Sequence, residues 1–193
     1  MTRALLPLAL AACASQDPTP TGDTGTPEVP FELTSTAFAT GEIIPLEHEC
    51  GPPFNDGPGD NLTPPLSWTP GPEGTASYVV VMRDRDFTPV AYPDGLIHWT
   101  IYDIPASVTE LPAGIPDGAT VATPSGAKQG EAQESGFFGY FGPCSPNSVN
   151  TYRFTVYAMP EATLDVPDPA SEIEVADAAE AAALDRTSLR GES

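Results

Sequence analysis

The sequence predicts a mainly β domain, on three observations. The apolar run Tyr78-Val79-Val80-Val81-Met82 carries three β-branched residues in succession and reads as a strand buried on both faces. Thr151 to Ala158 alternates side chains with period two, the signature of a strand with one covered face. Twenty-four prolines and seventeen glycines among 193 residues cut the chain into short pieces and oppose long helices. The length suits one domain with short additions.

Residues 1–12 read as a short signal peptide: Arg3 supplies one positive charge, and the apolar segment Ala4 to Ala12 is too short to cross a bilayer. Leu10-Ala11-Ala12-Cys13 resembles a bacterial lipobox, which makes Cys13 a candidate lipidation site and mature N-terminus. Residues 13–30 are rich in Pro, Thr and Gly and cannot bury enough apolar surface to order themselves. A lipid anchor followed by such a spacer implies a domain held in the cell envelope, periplasmic or surface-facing; secretion without an anchor is the alternative.

Residues 31–193 form the expected domain. Phe31 to Ser35 and Ile43 to Leu46 read as short edge strands, a place that tolerates Pro45. His48 and Cys50 are the ligands a metal site would take, but the segment reads better as a polar strand end and neither Cys50 nor Cys144 lies in a Cys-x-x-Cys spacing, so neither a metal nor another cofactor is expected. If Cys13 carries lipid, Cys50 and Cys144 remain, and export would let them pair as a disulfide. Asn61-Leu62-Thr63-Pro64-Pro65-Leu66-Ser67-Trp68 is a rigid loop feeding a strand, with Asn61 and Thr63 placed to bond their own loop and Trp68 in the core.

The buried run ends in Arg83-Asp84-Arg85-Asp86 and resumes as Ile97-His98-Trp99-Thr100-Ile101-Tyr102. If the backbone stays extended, Asp84 and Asp86 point to one face and Arg85 to the other. Two adjacent carboxylates need a cation, a proton or several donors to compensate them; on charge pattern alone, a solvated strand end with Arg83 and Arg85 neutralising the acids is the simpler reading. Near the C-terminus, Ser171 and Glu174 make a capping box, Ala176 to Leu184 is a run of high helix propensity, and Arg186 and Arg190 fall near its expected end.

Five motifs occur in order: Asn61 to Trp68, the strand ending in Asp84-x-Asp86, Ile97-His98-Trp99, Gly139 to Pro146, and Tyr152 to Ala158. Together they resemble the phosphatidylethanolamine-binding protein family, in its bacterial Raf-kinase-inhibitor-like branch, from about Phe31 to the C-terminus. The resemblance implies a large central β-sheet packed on a smaller one, with few peripheral helices including a C-terminal one. It also implies a small pocket for phosphate-type anions or phosphoryl and phospholipid head groups, at Asp84, Asp86, His98, Tyr140, Gly142, Pro143 and Tyr152. The carboxylates would orient His98 and accept an ammonium group; His98 and backbone N–H groups near Gly142 would hold the phosphate. Three positions depart from the pattern: Arg85 stands where the family has proline, Phe87 delays the next proline to Pro89, and Asn150 replaces a histidine.

The resulting expectation is an exported binding protein and not an enzyme. Neither a nucleophile-elbow nor a zinc-protease motif is present in the sequence. The alternative is a protein-interaction module, a protease or kinase-type inhibitor acting through the pocket rim. A net charge of −20 with seven Lys and Arg offers no basic stripe for nucleic acid. It equally opposes adsorption to anionic membrane, so the only expected membrane contact is the N-terminal anchor.

Overall fold

The computed structural model describes residues 29–52, 57–132, 135–145 and 148–193. The signal peptide, Cys13 and nearly all of the tether lie outside the described residues. Among the described residues the domain has eleven strands, one α-helix and a 3-10 turn over Leu46–His48. The strands are β1 (Leu33–Thr34), β2 (Glu42–Ile43), β3 (Leu66–Trp68), β4 (Ser77–Asp84), β5 (Leu96–Pro105), β6 (Glu110–Leu111), β7 (Lys128–Gln129), β8 (Glu131–Ala132), β9 (Phe137–Phe138), β10 (Thr151–Met159) and β11 (Asp185–Glu192); the helix is α1 (Glu172–Ala182).

The large sheet runs β2-β11-β10-β4-β5-β7, and a three-stranded sheet runs β1-β3-β6. β8 and β9 pair apart from both. All pairings are antiparallel except β2 with β11. β4 is buried along its whole length, between β10 on one side and β5 on the other. Its two faces serve two cores, because successive side chains point opposite ways. Val80 and Met82 pack with Leu66, Trp68 and Leu111 of the small sheet. Val79 and Val81 pack with Val175, Ala176 and Ala179 of α1. The same layering explains β10: its first residues alternate in burial, but from Phe154 onward both faces are covered.

The capping box forms as the sequence predicts, with Ser171 accepting from the Glu174 N–H and the Glu174 carboxylate accepting from the Ser171 N–H. The helix end does not. α1 stops at Ala182, its last turn has no basic residue, and Arg186 and Arg190 belong to β11. Helix propensity lost there to tertiary pairing: β11 lies antiparallel to β10 over eight residue pairs and buries Leu189 and Gly191. Gly191 has a steric reason. A Cβ there would fall 2.5 Å from Ile44 Cγ1 and 2.9 Å from the Phe38 ring.

Candidate functional site

The site forms where β4 and β10 begin to part from the loops around them. Asp84 ends β4, and Tyr152 is its cross-strand partner on β10, so both side chains share one face. His98 reaches that face through a bulge in β5. Met82 pairs with Trp99 and Arg83 with Ile97, which leaves His98 as the extra residue. The bulge breaks the alternation: Ile97 belongs to the helix-side core, whereas Trp99 belongs to the core between the sheets. A bulge re-aims side chains in this way, and here it turns the imidazole toward Asp84 and Tyr152. The His98 and Tyr152 rings meet edge-on at 5.3 Å.

These three residues line a hollow of about 320 Å³ together with Phe87, Leu96, Phe141, Cys144, Ser145, Ser148 and Asn150. A larger cavity of about 900 Å³ lies at Pro105–Pro112 and Pro124, but Glu110 is its only charged lining residue. Convergent polar chemistry therefore sits in the smaller one.

Asp84 is buried, and both of its oxygens accept hydrogen bonds, with acceptor capacity left on Oδ2. Its Oδ1 accepts the N–H groups of Asp86 at 2.9 Å and Phe87 at 3.1 Å, closing a tight turn. Its Oδ2 accepts from Asn150 Nδ2 at 2.7 Å, and Ser148 Oγ donates to Asn150 Oδ1 at 2.7 Å. His98 Nδ1 lies 2.9 Å from the Phe141 carbonyl oxygen. A carbonyl only accepts, so Nδ1 carries the proton and Nε2 is the free lone pair of the neutral ring. Burial lowers the His98 pKa below 6.5, against the smaller upward pull of the Phe141 carbonyl and Asp84. Burial pushes the Tyr152 hydroxyl up to about 12, and the charge of Asp84 adds to this. Tyr152 Oη accepts from the Cys144 N–H at 3.2 Å and shares a 2.8 Å hydrogen bond with Ser145 Oγ.

Asp86 is not brought to the hollow. The chain bends at Arg85 instead of staying extended, so Asp86 is exposed and its Oδ2 accepts the Thr151 N–H at 2.6 Å. Tyr140, Gly142 and Pro143 support the site from behind and do not line it. The Tyr140 hydroxyl donates to the His48 carbonyl at 2.8 Å, and burial holds its pKa well above 10. Pro143 accepts the Cys50 N–H at 2.9 Å through its carbonyl. The Gly142 N–H donates to Asn61 Oδ1 at 2.8 Å, so it is not available to a phosphate. Asn61 also donates to the Tyr140 carbonyl at 2.6 Å. It thus clamps the loop that carries Phe141, a role missed in sequence, where its bonds were expected within its own loop. Thr63 likewise bonds away from its loop, accepting the Ile115 N–H at 2.8 Å.

The Cys50–Cys144 bridge forms, with Cα atoms 5.4 Å apart, and it ties the same loop to the segment after the 3-10 turn. Contact there is tight. A Cβ on Gly142 would lie 2.6 Å from the His48 oxygen and 2.7 Å from the Cys50 nitrogen, both backbone atoms that cannot step aside. Gly142→Ala is expected to destabilise the protein by about 2 kcal/mol or more, read as a lowered urea midpoint. An unchanged midpoint would mean that the loop is not seated on this segment.

Seven of the lining residues, all but Asp84, His98 and Tyr152, were not predicted for the site, and two of them shape it most. Asn150 is the donor that completes Asp84, and Phe87 forms an apolar wall. Arg85 does not reach the hollow; its side chain donates to the Asp94 carbonyl.

The family described as Phosphatidylethanolamine-binding protein matches residues 34–193. A curated relative from Aquifex aeolicus, a UPF0098 protein, is 36% identical over 147 residues, which is 75% of this chain and 77% of that protein. The crystal structure of Escherichia coli YbcL, titled a new member of the mammalian PEBP family, superposes with a TM-score of 0.71 at 30% identity, covering 84% of this chain and 96% of that one. A PEBP homolog from Chlamydia trachomatis, CT736, superposes with a TM-score of 0.66 at 28% identity, covering 84% and 96%.

Proposed function

Because this chain belongs to the phosphatidylethanolamine-binding protein family, we propose that its hollow binds a small zwitterionic phosphoryl group, of the kind found in phospholipid head groups. The observation that carries this reading is the convergence of one buried carboxylate and one imidazole, Asp84 and His98, on a hollow edged with hydroxyls. A bare dianion would meet the charge of Asp84 at short range. A zwitterion sets its ammonium group toward Asp84 and its phosphoryl oxygens toward His98, Tyr152 and Ser145. At about 320 Å³ the hollow is at the small end of ligand sites and suits a head group more than a whole lipid. We read it as a binding site and not a catalytic one. Ser145 shares its hydrogen bond with Tyr152 and not with His98, so the pair needed for nucleophilic attack is not assembled. Placement in the cell envelope through Cys13 is part of the same proposal, since a tethered domain would meet lipid head groups at a membrane face.

Calorimetric titration with glycerophosphoethanolamine tests the proposal, because its phosphodiester does not itself titrate near neutral pH. His98 is neutral when free, its pKa lying below 6.5. A phosphoryl group on the ring favours the imidazolium and raises that pKa. Between the free and bound values binding takes up one proton, so affinity strengthens as pH falls, by about tenfold per pH unit within that window. His98→Ala removes both the binding and its pH dependence. A pH-independent affinity would refute the role given to His98. No binding at all, with a protein captured instead by the exposed apolar residues Phe87, Val90 and Val149, would favour the inhibitor reading.

A further inference from the structure

Four of the seven Lys and Arg residues in this acidic chain stand together on the large sheet. Arg83 of β4 is the cross-strand partner of Arg153 on β10, and Arg153 is the partner of Arg190 on β11. Directly opposed residues point to one face, so the three guanidinium groups form a row across three strands. Arg85 follows one step beyond β4 and is the charged group that acts most strongly on Arg153. The row lies on the face that carries Val79, Val81 and Tyr157, toward α1. That is the opposite face of the sheet from Tyr152 and the hollow.

Compensation along this row is uneven. Arg83 donates to Glu180 Oε1 at 3.4 Å and to the Gly95 carbonyl at 3.3 Å, and Asp94 and Asp177 line the small cavity beside it. Among the described residues neither Arg153 nor Arg190 has a carboxylate within ion-pair distance. The Nε atoms of both Arg83 and Arg153 are buried with no hydrogen-bond partner. Like charges directly opposed across strands are destabilising, and a buried guanidinium donor left unpaired adds to that cost. The chain has 27 Asp and Glu residues against seven cations, yet among the described residues none comes within ion-pair distance of Arg153, and Glu180 acts on it only from further off.

We propose that this row is an oxyanion-binding site centred on Arg153 and flanked by Arg85 and Arg190, for a phosphoryl or carboxylate group. Adjacent strands lie about 4.8 Å apart, which lets guanidinium groups on neighbouring strands share one planar or tetrahedral anion. The anion would satisfy the forked donors of Arg153 and relieve the repulsion along the row.

Thermal unfolding of the protein at constant ionic strength tests this, with inorganic phosphate or glutarate replacing chloride. The wild type should gain about 3 °C or more at tens of millimolar of the preferred anion. Arg153→Gln should start above the wild type in anion-free buffer and lose the gain; Arg190→Gln, an exposed position, should weaken it. His98→Ala should keep the full gain, which separates this site from the hollow on the other face. A response to phosphate alone identifies a phosphoryl ligand, and one to glutarate alone a carboxylate. The ¹⁵N-resolved Nε–H signal of Arg153 should move and saturate in the same titration. An unmoved Arg153 signal, or a gain that survives in Arg153→Gln, overturns the proposal.

Discussion

Removing the Cys50–Cys144 bridge, in the double variant Cys50→Ala/Cys144→Ala, is expected to cost about 4 kcal/mol of stability. The bridge joins residues 94 apart in sequence. Most of its effect falls on the unfolded chain, whose freedom it restricts in proportion to the logarithm of the closed loop. For a loop of about 100 residues that model gives about 4.7 kcal/mol, and measured values usually fall somewhat lower. The folded state should lose little. Cys50 still donates its N–H to Pro143, Gly142 still bonds Asn61, and the Tyr140 hydroxyl still reaches His48. The variant should therefore fold and lose urea resistance, with its denaturant slope increased because its unfolded chain is more expanded. Dithiothreitol should reproduce the loss in the wild type and do nothing further to the variant. A loss below about 1 kcal/mol would mean that the bridge does not constrain the unfolded chain.

The parts of the fold that could be read from sequence are those set by local composition. β4 was legible because a strand covered on both faces must be apolar on both, and Tyr78 to Met82 is. The start of α1 was legible because the capping box is a four-residue pattern. β11 was not, since only Leu189 and Gly191 of its eight residues are buried and the rest of Asp185 to Glu192 is polar. Its extended state comes from pairing with β10, a contact no local pattern encodes. At the site, Asp84 and Tyr152 were legible as strand ends. The aim of His98 depends on a register slip between two strands, and the turn that carries Asp86 away depends on Asp84 capturing two N–H groups. Aspartate followed by a turn is a known local alternative to extension, and the sequence Asp84-Arg85-Asp86 held that signal. Asn61 gave a weaker one. Its positive φ of 55° is tolerated by Asn better than by most residues, but the loop it clamps lies some eighty residues away.

Asp84 is the position where structure and ligand chemistry separate most sharply. Asp84→Ala strands three donors at once, the Asp86 and Phe87 N–H groups and the Asn150 amide, around a carboxylate that is 3% exposed. Each buried donor left unpaired costs about 1–3 kcal/mol. Asp86 and Phe87 are themselves exposed, so water recovers part of this, and a loss of about 3 kcal/mol in urea unfolding is expected. Asp84→Asn keeps the shape and one acceptor oxygen, which can still close the turn through both N–H groups. Its amide, however, meets the amide of Asn150 donor to donor, and the expected loss is about 1 kcal/mol. The milder variant isolates the charge. If the carboxylate faces an ammonium group, Asp84→Asn should bind glycerophosphoethanolamine at least tenfold more weakly while binding inorganic phosphate more tightly, because the repulsion is gone. Wild-type affinity for the zwitterion in Asp84→Asn would assign Asp84 to the turn alone and leave His98 without a partner in recognition. Opposite shifts for the two ligands cannot arise from a loosened turn, which would weaken both.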